Sequence, residues 1–447
     1  EFVANASRRS IQRLWTATQA SRQPRTSRLV HAYATVAARQ AIARMRSGHF
    51  VVGVGPFPES YGPVARQWSN GNGYTVVVSS PHAPIRGSPS AGLYFAPLDA
   101  FMTSSDREQI GAFVETAVHS MAPRPPRTWT SDGDRPFLAV FFAEVQRRLR
   151  QQLPELASLG IAFERGLDRA DRLMLMETSS PISKAAICFG RSRGIPIVAI
   201  QHGVIADPDS YRETDADRVA AWGPLDASWF AENLPGPVRT SPTGNPRYDR
   251  LVIPQNRDAR RRLRNISRGA RVLLFASAPF GHLNAAESLW DYDALQSIVL
   301  EGVSRIPNTF LLFKRHPSEA RRPLPSVPEG ITARWRELVG GDTFALIHAS
   351  DVVMSVESSV TLEAMYLNRP TVFIGRRRRG SPYHPPEDGG GLRAQSAAEL
   401  ETHLRRLLED NNYQAEVLRG QQGYLRRSFA PLDGHAAERF AVFLRSE

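Results

Sequence analysis

The sequence holds a single cysteine, Cys188. A disulfide framework and a cysteine-rich zinc site within the chain are thereby excluded, and a reducing compartment is the simplest setting. No apolar run reaches the ~18 residues that a spanning helix needs, so an integral membrane protein is not expected. Lysine is almost missing: Lys184 and Lys314 are the only two among 56 basic residues, and the rest are arginine. GC-rich coding produces such a bias without any functional demand. Also missing are a G-x-G-x-x-G fingerprint after a strand, a P-loop and a nucleophile elbow. Their absence argues against NAD enzymes, Walker-type ATPases and α/β-hydrolases. The 11 histidines show no pairing at metal-ligand spacing, so no metal is expected.

What is present is a chain of 447 residues, 42% hydrophobic and 22% charged, which is enough for two or three domains with ordinary cores. Its formal net charge is +12 and its pI is near 10.3. A chain this basic tends to meet phosphate, an acidic polymer or an anionic membrane. Nucleic acid is the plainest such partner. No zinc-finger, RNA-recognition or basic-zipper pattern supports it, and a nucleic-acid-binding protein remains a minor alternative.

The charge is unevenly spread. Between Glu1 and Glu59 there is no acidic residue, while nine arginines fall within residues 2–47. Helices are expected over 11–19 and 28–45, broken at Gln23-Pro24, with Ile11, Leu14 and Trp15 on one face. Such an arm suits the surface of an anionic membrane, and equally suits a basic helix packed on the first domain.

From Phe50 onward short apolar strands alternate with helical spacing. Strands are expected at 50–54, 74–79, 93–97, 173–176, 195–200 and 218–222, then, after an arginine-rich stretch at 250–267, at 272–276, 310–313, 351–354 and 371–374. Helices are expected at 137–153, 182–193, 287–303, 332–338, 361–367 and 397–409. This alternation calls for parallel sheets covered on both faces, an α/β class with two doubly wound Rossmann-like domains facing across a cleft. The expected division is a basic arm at 1–48, an acceptor-side domain at 49–248, a nucleotide-binding domain at 249–425 and a C-terminal helix at 426–447.

In open parallel sheets the ligand lies beyond the carboxyl ends of the strands. Three polar clusters fall there. Gln201-His202-Gly203 follows one apolar strand; His202 there can take a proton from a hydroxyl, or can serve as a hydrogen-bonded structural residue, and Gly203 permits close backbone approach. Lys314-Arg315-His316 follows another, and all three side chains can donate to a diphosphate. Ser355-Val356-Glu357-Ser358-Ser359 follows a third and opens a helix, whose N-terminus either binds phosphate or is simply capped. Glu363, one turn in, either meets ribose hydroxyls or serves as an exposed cap partner. Arginines at 376–379 either grip an anion or line a solvated loop. Asp215-Ala216-Asp217 precedes a strand and reads as a turn, not a metal motif.

Taken in order, Gln201-His202-Gly203, Gly244-Asn245-Pro246-Arg247-Tyr248-Asp249, Arg315-His316-Pro317, the tract from Ser350 through Ser358-Ser359 to Val360, and Asn368-Arg369-Pro370 resemble the CDP-glycerol glycerophosphotransferases of teichoic-acid synthesis and the wider group of capsule-polysaccharide transferases. The resemblance covers about residues 170–380. It implies a GT-B fold with the donor nucleotide in the C-terminal domain. It implies His202 as the acceptor base, with His316, Ser358 and Ser359 on the leaving diphosphate. Gln201, Gly203, Lys314, Arg315, Ser355 and Glu363 are expected to line the donor and acceptor pockets. Two departures, Val356-Glu357 before the serine pair and Ala276-Ser277-Ala278-Pro279-Phe280 after the first strand of the second series, point away from CDP-glycerol toward a nucleotide sugar.

The expected activity is inverting, metal-independent transfer of a sugar or polyol phosphate from a CMP-, CDP- or UDP-linked donor to a polysaccharide or lipid-linked acceptor. No cofactor beyond the donor is expected. The place would be the bacterial cytoplasm, either free or peripherally on the inner face of the plasma membrane, in cell-envelope or capsule synthesis. The tract 355–370 also resembles the non-hydrolysing UDP-GlcNAc 2-epimerases, which makes an isomerase the alternative; the acidic segment that those enzymes keep soon after is replaced here by the arginines at 376–379.

Overall fold

The computed structural model describes residues 49–55, 58–69, 74–79, 93–120, 135–206, 208–252, 267–277, 289–316, 319, 326–377 and 381–446. The basic arm at 1–48 and most of the stretch at 250–267 lie outside the described residues.

Seven parallel strands build the first sheet: β1 (Phe50–Val54), β2 (Tyr74–Ser79), β3 (Leu93–Pro97), β4 (Arg172–Leu175), β5 (Ile197–Ile200), β6 (Arg218–Ala221) and β7 (Arg239–Pro242). Their order is β3-β2-β1-β4-β5-β6-β7. The helices that accompany them are α1 (Pro58–Ser69), α2 (Ser104–Ser120), α3 (Arg135–Glu164), α4 (Pro181–Arg191), α5 (Pro208–Arg212) and α6 (Pro224–Asn233). The second sheet has β8 (Arg271–Ala276), β9 (Thr309–Arg315), β10 (Trp335–Val339), β11 (Val352–Ser355), β12 (Thr371–Ile374) and β13 (Leu392–Ala394), in the order β10-β9-β8-β11-β12-β13. With it come α7 (Leu289–Ser304), α8 (Thr343–Ala349), α9 (Ser359–Tyr366), α10 (Ala397–Glu409), α11 (Asn411–Ser428) and α12 (Ala436–Arg445). Both sheets are doubly wound, as the alternation predicts. No described helix is long and apolar enough to cross a membrane.

The central strands are mostly apolar on both faces because both are covered. In β1, Val52 and Val54 face one core with Leu173, Leu175 and Ile197, while Val51 faces another with Tyr61, Val77 and Met174. The second sheet repeats this with Leu273, Phe313 and Met354 on one side and Leu274, Leu312 and Val353 on the other. A further apolar cluster joins the two halves: Val204, Ala206, Trp222 and Tyr248 of the first pack on Phe344, Leu362, Met365 and Tyr424 of the second.

Helix α12 returns to the first half, where Phe440, Phe443 and Leu444 complete the core around Val51 and Tyr61. Two further observations pin it there. Both carboxylate oxygens of Asp249 accept the N–H groups of Ala436 and Ala437, 2.9 and 2.8 Å away, capping the helix. Arg218 Nη1 donates to the Phe443 carbonyl at 3.0 Å.

Two expectations need correction. The segment 332–338 is not a helix: residues 335–339 form β10, which among the described residues is an edge strand paired with β9 alone. And β9 does not stop at Phe313 but runs through Lys314 and Arg315, leaving only His316 beyond its end.

Candidate functional site

The order of each sheet reverses at one point, between β1 and β4 in the first and between β8 and β11 in the second. A ligand is expected in the crevice outside the strand ends at such points. Around these two reversals the structure gathers most, but not all, of the residues singled out above.

His202 leaves the end of β5. Its ring stacks on Tyr211 at 5.4 Å between centroids and 18° between planes, and the Tyr211 hydroxyl donates to the Gly203 carbonyl at 2.9 Å. Gln201 is buried and turned inward: its Oε1 accepts from the Trp222 N–H at 2.7 Å, and its Nε2 donates to the Gly203 carbonyl at 2.8 Å. Gln201 therefore shapes the loop that carries His202. In the wall of the same small hollow lies Glu177, just past β4. Burial acts to raise its pKa, but hydrogen bonds from Ser180, Ser183 and Ser179 outweigh that and hold the carboxyl below the ordinary range. Sequence reasoning missed Glu177, because a carboxylate before Thr178-Ser179-Ser180 looks like turn chemistry.

On the other sheet, Ser358 is the N-cap residue of α9, yet its side chain accepts no bond from the helix. Its hydroxyl instead meets Ser355 Oγ at 2.9 Å, and Ser355 donates to the Ala276 carbonyl at 2.7 Å. The first N–H groups of α9 thus lack a side-chain cap, the condition under which a helix end attracts an anion. Glu357, beside it, is buried and paired with Arg393 at 2.8 Å, so its charge is balanced away from the helix end.

His316 stands past β9. Its backbone N–H lies 3.1 Å from both Ser277 Oγ and a Glu319 carboxylate oxygen, and the Ser277 hydroxyl donates to that carboxylate. Glu319 is buried and fixes the turn that presents His316; it was not singled out in the sequence. His316 and Ser358 follow β9 and β11, the two strands that flank β8.

Arg315 points away from the face that carries Lys314. Consecutive residues of a strand point to opposite faces. Arg315 is buried and pairs with Glu337 at 2.9 Å. Lys314 lies on the α9 side, where burial pushes its pKa down against the charge of Glu363. Glu363 is neither exposed nor a cap partner. It is buried, and Arg247 reaches it across the domain boundary, Nη1 to carboxylate 3.5 Å. Arg247 was legible only as part of a motif with no assigned role. Arg376 and Arg377 are exposed past β12. Asp215 pairs with Arg191, and Asp217 accepts the Ile197 N–H at 2.7 Å, so that tract is a structural turn. Among the described residues, no three His, Cys, Asp or Glu side chains converge to hold a metal ion.

The two halves meet at the site itself. A Cβ placed on Gly203 would lie 3.6 Å from Ser359 Oγ and 3.0 Å from the Tyr211 hydroxyl. Nearby, Ser381 Oγ donates to the Ile205 carbonyl at 2.7 Å. The His202 loop and the open end of α9 therefore lie close to each other across the boundary.

No protein-family model matches the chain, and no curated protein matches it. Solved structures do. A candidate UDP-N-acetylglucosamine 2-epimerase from Listeria monocytogenes is similar over 90% of this chain and 98% of its own, with a TM-score of 0.52 and 13% identity. Anabaena Alr3699/HepE, in complex with UDP and glucose, is similar over 89% of this chain and 100% of its own, with a TM-score of 0.51 and 11% identity. The wall teichoic acid polymerase TagF is similar over 89% and 88%, with a TM-score of 0.52 and 13% identity. The fold is GT-B. At identities this low, the likenesses establish architecture alone.

Proposed function

We propose that this GT-B chain transfers a sugar, or a polyol phosphate, from a nucleotide-activated donor to an acceptor hydroxyl on a polysaccharide or lipid-linked chain. The observation that carries the reading is the closeness of Gly203 to Ser359, which brings the loop that carries a histidine up to an uncapped helix end of the other domain. UDP and glucose in the similarly folded HepE, and the polymerase TagF, support a nucleotide donor and a cell-wall acceptor. In this reading the donor diphosphate lies against Ser358, Ser359 and the α9 N–H groups, with His316 donating to it. His202 takes the acceptor proton as the acceptor oxygen bonds to the transferred group. For a sugar, the bond from its anomeric carbon to the donor phosphate breaks and the nucleotide leaves with the electron pair; for a polyol phosphate, the phosphoanhydride bond breaks and the nucleoside monophosphate leaves with it. Fixed donors would perform the neutralisation that a divalent metal performs elsewhere. Residues 2–47 would hold the enzyme on an anionic leaflet by salt-sensitive contacts.

Thermal melts with CMP, CDP, UDP and GDP test the donor. Stabilisation by one base family is expected, and none by any would overturn the reading. His202→Ala should keep that stabilisation and lower turnover by about two to four orders of magnitude, whereas His316→Ala should weaken nucleotide binding itself. Equal loss of nucleotide affinity in both variants would remove His202 from the base role. A second reading, 2-epimerisation of a UDP-sugar, is favoured by the Listeria likeness. UDP-GlcNAc converted to its epimer with no acceptor present would establish it.

A further inference from the structure

The 3-10 turn Pro246–Val252 carries most of a sequence motif, Gly244 to Asp249, that the proposed chemistry does not use. Its side chains do separate work. Asn245 Oδ1 accepts the Arg247 N–H at 3.0 Å and sets the start of the turn. Both Asp249 oxygens cap α12. Tyr248 is buried at the junction of the halves, edge to face with Phe344 and Tyr366 of the second. Arg247 reaches further, to the helix whose open end takes the donor diphosphate in the reading proposed above.

There its Nη1 lies 3.5 Å from the Glu363 carboxylate, and its guanidinium carbon lies 4.9 Å from the Phe344 ring centroid. The Glu363 side chain is 2% exposed and that of Arg247 is 31% exposed, so Arg247 lies on the solvent side of the pair. Lys314, on β9, is within electrostatic reach of the same carboxylate. A cation therefore stays with Glu363 when Arg247 moves off, which spares the cost of a buried carboxylate left without one. Glu363 stands one helical turn past Ser359, about 6 Å along α9. With the diphosphate at the helix end, the ribose of a nucleotide comes to that level, and a carboxylate can accept from two neighbouring ribose hydroxyls. In the empty chain, Arg247 holds the carboxylate that those hydroxyls need.

We propose that Arg247 gates the ribose end of the donor site: its pair with Glu363 belongs to the empty chain, and the 2′- and 3′-hydroxyls of the donor displace it on binding. The inference rests on the donor reading and deepens it, because Arg247 belongs to the first half and so couples that half to a nucleotide held by the second. The gate lowers the affinity for a ribonucleotide, since only chains with the carboxylate released are competent to take the ribose.

Calorimetric titration of the full chain with CDP, UDP and GDP, each beside its 2′,3′-dideoxy form, tests it. In the wild type, the ribose form of the favoured base should bind more tightly than its dideoxy form. Arg247→Gln should tighten the ribose form about tenfold and leave the dideoxy form unchanged. Glu363→Gln should bring the two forms to similar affinity. A purely structural role for Arg247 would shift both forms alike. The wild-type ratio between the forms in Arg247→Gln, or a wild type that does not distinguish them, overturns the gate and leaves the donor reading standing. No binding of any nucleotide overturns the donor reading, and the gate with it. Should Arg247→Gln fail to fold, Arg247→Met, which keeps a polarizable side chain over Phe344, takes its place; the wild-type comparison needs neither variant.

Discussion

At the scale of single residues, the first turn of α6 holds a carboxyl that no catalytic role explains. Asp226 is buried, Gln201 hydrogen-bonds to it, and its Oδ2 has no partner among the described residues. Burial pushes its pKa up to about 7. The ordinary value lies near 3.8, so between roughly pH 4 and 7 the folded chain holds a proton that the unfolded chain releases. Stability from this group is therefore present at low pH and is lost as pH rises toward 7. Asp226→Asn keeps the shape and removes the charge. In urea unfolding, the variant should match the wild type near pH 4 and exceed it by an amount that grows up to about pH 7 and then levels off; a gap that does not change with pH would show that Asp226 does not titrate this way. Nothing in the sequence marks Asp226, since an acid in a first helical turn is ordinary. That His202, Ser358 and Ser359 follow strand ends was legible because apolar strands announce where they stop. Lys314 and Arg315 were misplaced because a strand extending through two basic residues carries no apolar signal to show it.

Among the elements, central strands are bounded correctly to within about two residues, because burial on both faces leaves a continuous apolar run. The edge strand β10 is half-buried and polar, and Trp335-Arg336-Glu337-Leu338 imitates helical spacing. Helix α2 went unseen for a related reason: of its 17 residues only Val114 and Val118 are buried. Glycine positions test the packing between elements. A Cβ on Gly223, between β6 and α6, would lie 2.3 Å from Phe429 Cα and 2.4 Å from the Ser428 carbonyl oxygen. Both are backbone atoms, so no side chain can turn aside. Gly223→Ala should cost at least about 1–3 kcal/mol, whereas Gly111→Ala, in α2 with nothing within 4 Å, should gain about 0.5–1 kcal/mol. Thermal melts of the pair check this; an unchanged melting temperature in Gly223→Ala would mean that the α6 and α11 ends are not packed as described.

For the whole molecule, the doubly wound pattern was legible from alternation alone, but the return of α12 to the first half was not, since no local pattern records which core a terminal helix will join. Deleting residues 436–446 should leave Val51, Tyr61 and Met174 facing solvent and abolish the cooperative melt; a truncated chain that melts like the full one would refute the assignment. The same return has a consequence for biosynthesis. The first half is translated by about residue 250, yet the helix that closes its core is made only after the whole second half. Throughout synthesis of the second half, an apolar strip along β1, β4 and α1 stays uncovered, a state in which partly made chains aggregate or recruit chaperones. Moving α12 to the front of the chain by circular permutation would let the first half close during translation, and the soluble yield would report it.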